Sequence, residues 1–180
     1  MFFAIFNHKI CNLTLHYIEV RSYFMESFSP SKVLKPKYYH DTHLARKHDL
    51  RRGMDWHEKL GYNNDIIYQR HLIENGDIYL IRGKPDRING CVQELKTFRK
   101  RDPKVIYGKL VPYAIDQLAF YSFLTEIGEC EVHLFDTKKE DFFDIIGVVF
   151  TEEEAKKSIL DNIKLYKRLC NGKQKLQQRI

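Results

Sequence analysis

The chain offers little sulfur chemistry. Its four cysteines, Cys11, Cys91, Cys130 and Cys170, lie far apart, and none belongs to a Cys-x-x-Cys pair. That dispersion excludes a zinc ribbon and a compact disulfide framework, so reduced, mostly buried thiols are expected. Long apolar runs are also lacking. The N-terminal one, Met1 to Phe6, is too short to span a bilayer and has no preceding basic segment, so the protein is read as cytoplasmic. No repeat or low-complexity linker divides the 180 residues, a length suited to a single domain. Missing motifs exclude further classes. His57-Glu58 is not a zinc-protease helix, because Gly61 stands where the second histidine would be, and Gly83-Lys84 lacks the glycine-rich loop of a nucleotide site.

What is present suits a folded protein with a polyanionic partner. Hydrophobic residues make up 43% and charged residues 30%, enough to bury a core, and the net charge of +6 with a pI near 9.0 favours nucleic acid. Asp86, in Gly83-Lys84-Pro85-Asp86, is followed eight residues later by Glu94-Leu95-Lys96. Phosphodiester hydrolysis needs neutralisation of developing charge and an activated water, and a carboxylate-held Mg²⁺ or Mn²⁺ serves both needs. Asp86 and Glu94 supply the oxygen ligands such hard cations take. On a strand, Glu94 and Lys96 would share one face while Leu95 packs into the other. The lysine would then hold the attacking water or the charged phosphate. A solvent-facing Glu–Lys pair of little energetic value is the alternative reading of the same residues.

Context carries the choice between them. The chain resembles the RecB-like branch of the PD-(D/E)XK nuclease superfamily over about residues 27–137, through four motifs in the family order. These are Gly53-Met54-Asp55-Trp56-His57-Glu58, Asp86, Glu94-Leu95-Lys96, and Gln117-Leu118-Ala119-Phe120-Tyr121. The helix opening Ser29-Pro30-Ser31-Lys32 is similar to the family's as well. The resemblance implies an α/β, restriction-endonuclease-like core with a mixed central sheet flanked by helices. It also implies that His57, Asp86, Glu94 and the Leu95 carbonyl hold one or two divalent ions, that Lys96 positions the water, and that Gln117 and Tyr121 order the substrate. His71, Glu58, Glu74 and Asp77 compete with His57 for its role. Several RecB-like nucleases, CRISPR-associated ones included, bind an iron–sulfur cluster through one early and three late cysteines. That pattern is missing here, so no cluster is expected.

Local signals place these residues. Residues 1–26 read as a β-rich extension in which residues 10–23 can form a strand or hairpin, 27–150 as the catalytic core, and 151–180 as a helix with a basic tail. Ser29 with Pro30 opens a short helix through about Leu34, and a second runs from about His43 to Leu60. Asn75-Gly76 turns the chain into a strand from Ile78 to Arg82 that leads to Asp86. Asn89-Gly90 then predicts a two-residue hairpin between that strand and Cys91–Thr97, which sets Asp86 beside Glu94. Residues 111–127 predict a largely buried helix with Gln117 and Tyr121 on one side, and Thr151 with Glu154 a capping box for the last helix.

Basic residues flank the motifs. Arg51 and Arg52, in a run that also holds His40, His43, Arg46, Lys47 and His48, can contact phosphate, whereas a zinc site from those histidines lacks its remaining ligands. Arg99, Lys100, Arg101, Lys104 and Tyr107 form a basic, aromatic-interleaved loop just past Lys96, suited to backbone contacts and to stacking a base on Tyr107. The leading expectation is a metal-dependent deoxyribonuclease acting on DNA ends, with endonuclease activity open. A catalytically weak nucleic-acid-binding subunit and an interaction protein with incidental charge are the alternatives, and a homodimer or a protein partner stays open.

Overall fold

A helix that is apolar all round has to be buried all round, and residues 111–125 make one. The computed structural model describes residues 26–38, 47–100 and 102–177. In chain order the elements are β1 (Glu26–Phe28), α1 (Pro30–Tyr38), α2 (Lys47–Lys59), β2 (Tyr68–Glu74), β3 (Asp77–Gly83), β4 (Arg87–Asn89) and β5 (Cys91–Phe98). There follow α3 (Pro103–Val105), a π-helical turn (Ile106–Leu110), α4 (Val111–Thr125), β6 (Glu129–Asp136), β7 (Asp141–Val149) and α5 (Glu152–Gln177). Eleven of the fifteen side chains of α4 are buried, and the helix packs against α1, α5 and both sheets. Phe28, Val33, Leu34, Ile81, Ala155, Ile159 and Ile163 close the same core from the surrounding elements.

The protein is α/β with mixed sheets flanked by helices, as expected. The strands form two sheets, β1-β3-β2 and β4-β5-β6-β7. In the first, β1 runs parallel and β2 antiparallel to β3. In the second, β5 and β6 are parallel, joined through α4, and β4 and β7 are antiparallel edges. This corrects the expected hairpin: the strand pairing with residues 91–97 is the three-residue β4, not the strand from Ile78 to Arg82, which belongs to the other sheet. Pro85 explains the break, since it has no N–H to continue a ladder. The turn is also tighter than expected, because Asn89 pairs with Cys91 and leaves Gly90 alone at the apex with φ 73°. At the β2–β3 turn, by contrast, Asn75 and Gly76 both take positive φ (50° and 84°), as a type I′ hairpin requires.

Other local signals hold, with additions. Ser29 Oγ accepts from Lys32 N at 3.3 Å, capping α1. The helix runs on past Leu34 because Lys37 Nζ and Tyr38 OH both donate to Asp116 of α4 at 2.6 Å, tying down its last turn. At α5, Glu154 N donates to Thr151 Oγ1 (3.2 Å) and Thr151 N to Glu154 Oε2 (2.9 Å), a reciprocal box. The basic segment read as a loop is helical from Pro103, since Asp102 accepts from Lys104 N at 3.0 Å and proline suits a first turn. Residues 1–25 of the N-terminal extension, Arg101, His40, His43 and Arg46 lie outside the described residues.

Glycine 83 sets how closely β3 approaches α4. A Cβ there would lie 2.9 Å from both Leu124 Cδ1 and Tyr121 Cε1, whereas one at Gly53, inside α2, meets only Thr97 Oγ1 at 3.5 Å. Gly83→Ala is therefore expected to destabilise the fold by about 1–3 kcal/mol through overpacking. Gly53→Ala should stabilise it by about 0.5–1 kcal/mol through helix entropy. Urea unfolding of the two variants should move in opposite directions.

Candidate active site

β5 has both faces covered, and its alternation sorts chemistry from packing. Leu95 points into a small apolar cluster with Tyr62 and Phe135, backed by Trp56 and Leu60. Glu94 and Lys96 share the other face, under α4, and form a direct ion pair in which the two side chains are 3% and 14% exposed. Lys96 Nζ also donates to Gln117 Oε1 at 2.6 Å and stands 4.8 Å from the centre of the Tyr113 ring. Two acceptors and an aromatic face hold the ammonium. Tyr121, one turn beyond Gln117 on α4, is buried beside it.

Asp86 reaches the same point from the start of β4. Its Oδ2 accepts from Leu95 N at 2.8 Å, and its own carbonyl accepts from Asn64 N at 3.0 Å. His57 Nδ1 lies 3.5 Å from Asp86 Oδ2. A Schellman cap positions that histidine: Gly61 N donates to Glu58 O (3.1 Å) and Tyr62 N to His57 O (2.7 Å), with Gly61 at φ 72°. His57, Asp86, Leu95, Lys96, Arg51 and Thr97 all line one cleft of about 780 Å³. Of the residues competing with His57, only Glu58 lines it, and His71, Glu74 and Asp77 lie in the other sheet.

Charge is crowded here. Burial, and then the charge of Asp86, pushes Glu94 up to about 7. Burial raises Asp86 too. Burial alone would lower Lys96, but the Glu94 and Asp86 carboxylates outweigh it and raise it, so this lysine is an ammonium that donates and neutralises rather than a base. His57 is lowered by burial, with Glu94 acting the other way, which keeps a nitrogen lone pair available near neutrality. Tyr121 is held well above its ordinary value by burial and by both carboxylates, and stays a neutral phenol.

The donor set fits a hard divalent cation. The buried Glu94 and the half-buried Asp86 stand by one ammonium, and Glu94 Oε2 is buried without a hydrogen-bond partner, an acceptor that a cation would satisfy. Among the described residues no group of three or more His, Cys, Asp or Glu side chains stands close enough together to hold a metal ion as they are placed. The set is open, with His57 beside Asp86 and Glu94 beside Lys96.

The basic residues divide by location. Arg51 lines the cleft and the half-buried Arg52 does not. Arg99 and Lys100 line a separate depression, and Lys104 is exposed on α3. Tyr107 is 46% exposed, with its hydroxyl donating to Asp144 at 3.1 Å.

Sequence reasoning missed a ring of five residues beneath the site. Arg87 Nε donates to Gln93 Oε1 (2.5 Å), Gln93 Nε2 to Glu131 Oε2 (2.8 Å), and that same oxygen meets His133 Nε2 (2.7 Å). His133 Nδ1 meets Tyr62 OH at 2.6 Å, and the Arg87 guanidinium over the Tyr62 ring, 4.2 Å away, closes the circle. Arg87 adjoins Asp86, and Tyr62 caps the turn that carries His57. Odd-numbered polar residues on β5 and β6 (Gln93, Glu131, His133) were the available signal. Since Tyr62 and His133 are 3% and 5% exposed, Tyr62→Phe would strand a ring nitrogen and cost about 1–3 kcal/mol. Combined with Glu131→Gln, it should show a coupling of at least about 0.5 kcal/mol in a double-mutant cycle of urea unfolding.

No protein-family model matches the chain, and no curated protein does. Among solved structures it is similar to SSO0001 (17% identity, TM-score 0.53, covering 78% of this chain and 76% of that one), a likeness of fold. Weaker likenesses are to the alkaline exonuclease LHK-Exo from Laribacter hongkongensis (14%, TM-score 0.42, covering 83% and 94%) and to LHK-Exo in complex with dAMP (13%, TM-score 0.47, covering 84% and 91%). None of these singles out the RecB-like branch.

Proposed function

We propose that the chain is a divalent-metal-dependent deoxyribonuclease of the RecB-like kind, acting on DNA ends. The observation that carries this reading is Glu94 Oε2, buried without a hydrogen-bond partner behind the wall of the cleft that Asp86, His57 and its ion-pair partner Lys96 line. Asp86 and Glu94, with His57 and the Leu95 carbonyl, are the residues that would hold Mg²⁺ or Mn²⁺. When bound, such an ion neutralises phosphate charge and lowers the pKa of water. Lys96 keeps its proton and presents an N–H toward the water or a phosphate oxygen. Gln117 holds Lys96 at that place, and Tyr121, neutral and buried, shapes the wall behind it without adding charge. Arg51, at the mouth of the cleft, offers a phosphate contact.

Two measurements test the reading. With end-labelled linear duplex, closed circle and single-stranded DNA, metal-dependent loss of the linear substrates alone is expected, abolished by EDTA. Asp86→Ala and Glu94→Ala should each lower the rate by about 10²-fold or more. Asp86→Ala cleaving like the wild type would overturn the site assignment, and DNA binding without cleavage by either protein would leave a binding subunit. Separately, Mn²⁺ at a hundred times its Kd should stabilise the wild type by about 2.7 kcal/mol in thermal unfolding, and Asp86→Ala by far less.

A further inference from the structure

Beyond the cleft, the ends of β5 and β6 gather positive charge. The parallel register sets Phe98 opposite Asp136, and Thr137 fastens the two strand ends together: its N and its Oγ1 both donate to Phe98 O, at 2.8 and 3.0 Å. Arg99 and Lys100, just past β5, are thereby brought against Lys138 and Lys139 in the β6–β7 turn. The four exposed cations and Asp136 line one depression of about 620 Å³.

The acidic member is built into the turn. Asp136 is 2% exposed, and its Oδ1 accepts from the backbone N–H groups of Lys138 (2.9 Å) and Lys139 (3.3 Å), so it builds the turn. Some cations elsewhere are paired, as in Lys37 with Asp116 or Arg70 with Glu126 and Glu152. Arg99, Lys100, Lys138 and Lys139 take part in no ion pair among the described residues. Glu140 and Asp141 follow in sequence but do not line the depression. Four like charges held together by a clamped strand pair repel one another, an arrangement that a polyanion relieves.

Position names the polyanion. Thr97 lines the proposed catalytic cleft, and Arg99 lies three residues beyond Lys96, about 10 Å along the strand direction. That spacing corresponds to about three base-pair steps of duplex. We propose that this depression is a second phosphate-binding subsite, in which Lys138 and Lys139 join Arg99 and Lys100 to hold the DNA backbone a few nucleotides from the scissile bond. It rests on the nucleic-acid reading above but not on turnover. The contacts are to phosphate and carry no base specificity.

The test is the salt dependence of binding by the full chain to a fluorescein-labelled 20-base-pair duplex in EDTA, followed by anisotropy between 50 and 300 mM KCl. Lys138→Gln/Lys139→Gln is expected to reduce the slope of log K against log[salt] by about 1.8, at about 0.9 per lost phosphate contact. The charge-matched control is Lys157→Gln/Lys164→Gln on α5, two cations that line a different depression. An unchanged slope in the first variant, with wild-type circular dichroism and melting temperature, overturns the subsite. Equal reductions in both variants also overturn it, because the effect is then one of net charge. Failure here with cleavage still dependent on Glu94 would remove the subsite alone. A reduced slope in a protein that never cleaves would remove the nuclease reading and leave the subsite standing.

Discussion

Burial of the Glu94–Lys96 pair in the middle of β5 is the constraint that the surrounding structure answers. Removing two charges from water is costly, and even a good buried pair does little more than offset that cost. Two neighbours supply part of the compensation, since Gln117 accepts from Lys96 and Tyr113 offers its ring, whereas Asp86 adds a second negative charge that the single ammonium cannot balance. One carboxylate oxygen stays without a donor. A fold that keeps such a group carries stored electrostatic cost at one place, directly behind the Lys96 that lines the cleft.

The helix α4 makes this tolerable. Its apolar surface on all sides joins α1, α5 and the two sheets into one core, and its few polar groups are spent on specific tasks. Asp116 fastens the end of α1, while Gln117 and Tyr121 face β5. Close approach of β3 to this helix at Gly83 then delivers the chain through Pro85 to Asp86. Beneath β5, on the opposite face from the charged pair, the ring from Arg87 to Tyr62 ties the start of β4 to the turn after α2. Asp86 and His57 thus stand on segments held by one set of polar contacts.

The amino-acid sequence by itself determined what depends on short range. Alternation along Glu94-Leu95-Lys96 decided which side chains share a face, the spacing of Gln117 and Tyr121 put both on one side of a helix, and Ser29, Thr151 and Glu154 marked helix ends through hydrogen bonds that span only a few residues. Only the tertiary structure decided that β3 and β4 belong to different sheets, that His57 rather than His71 meets Asp86, and that Lys138 and Lys139 lie against Arg99 and Lys100. The five-residue ring was hidden for the same reason, since His133 and Tyr62 are 71 positions apart. Period and capping are properties of neighbouring residues, whereas strand register, sheet membership and the pairing of buried polar groups are set by the packing of the whole core, where each contact is chosen against every other.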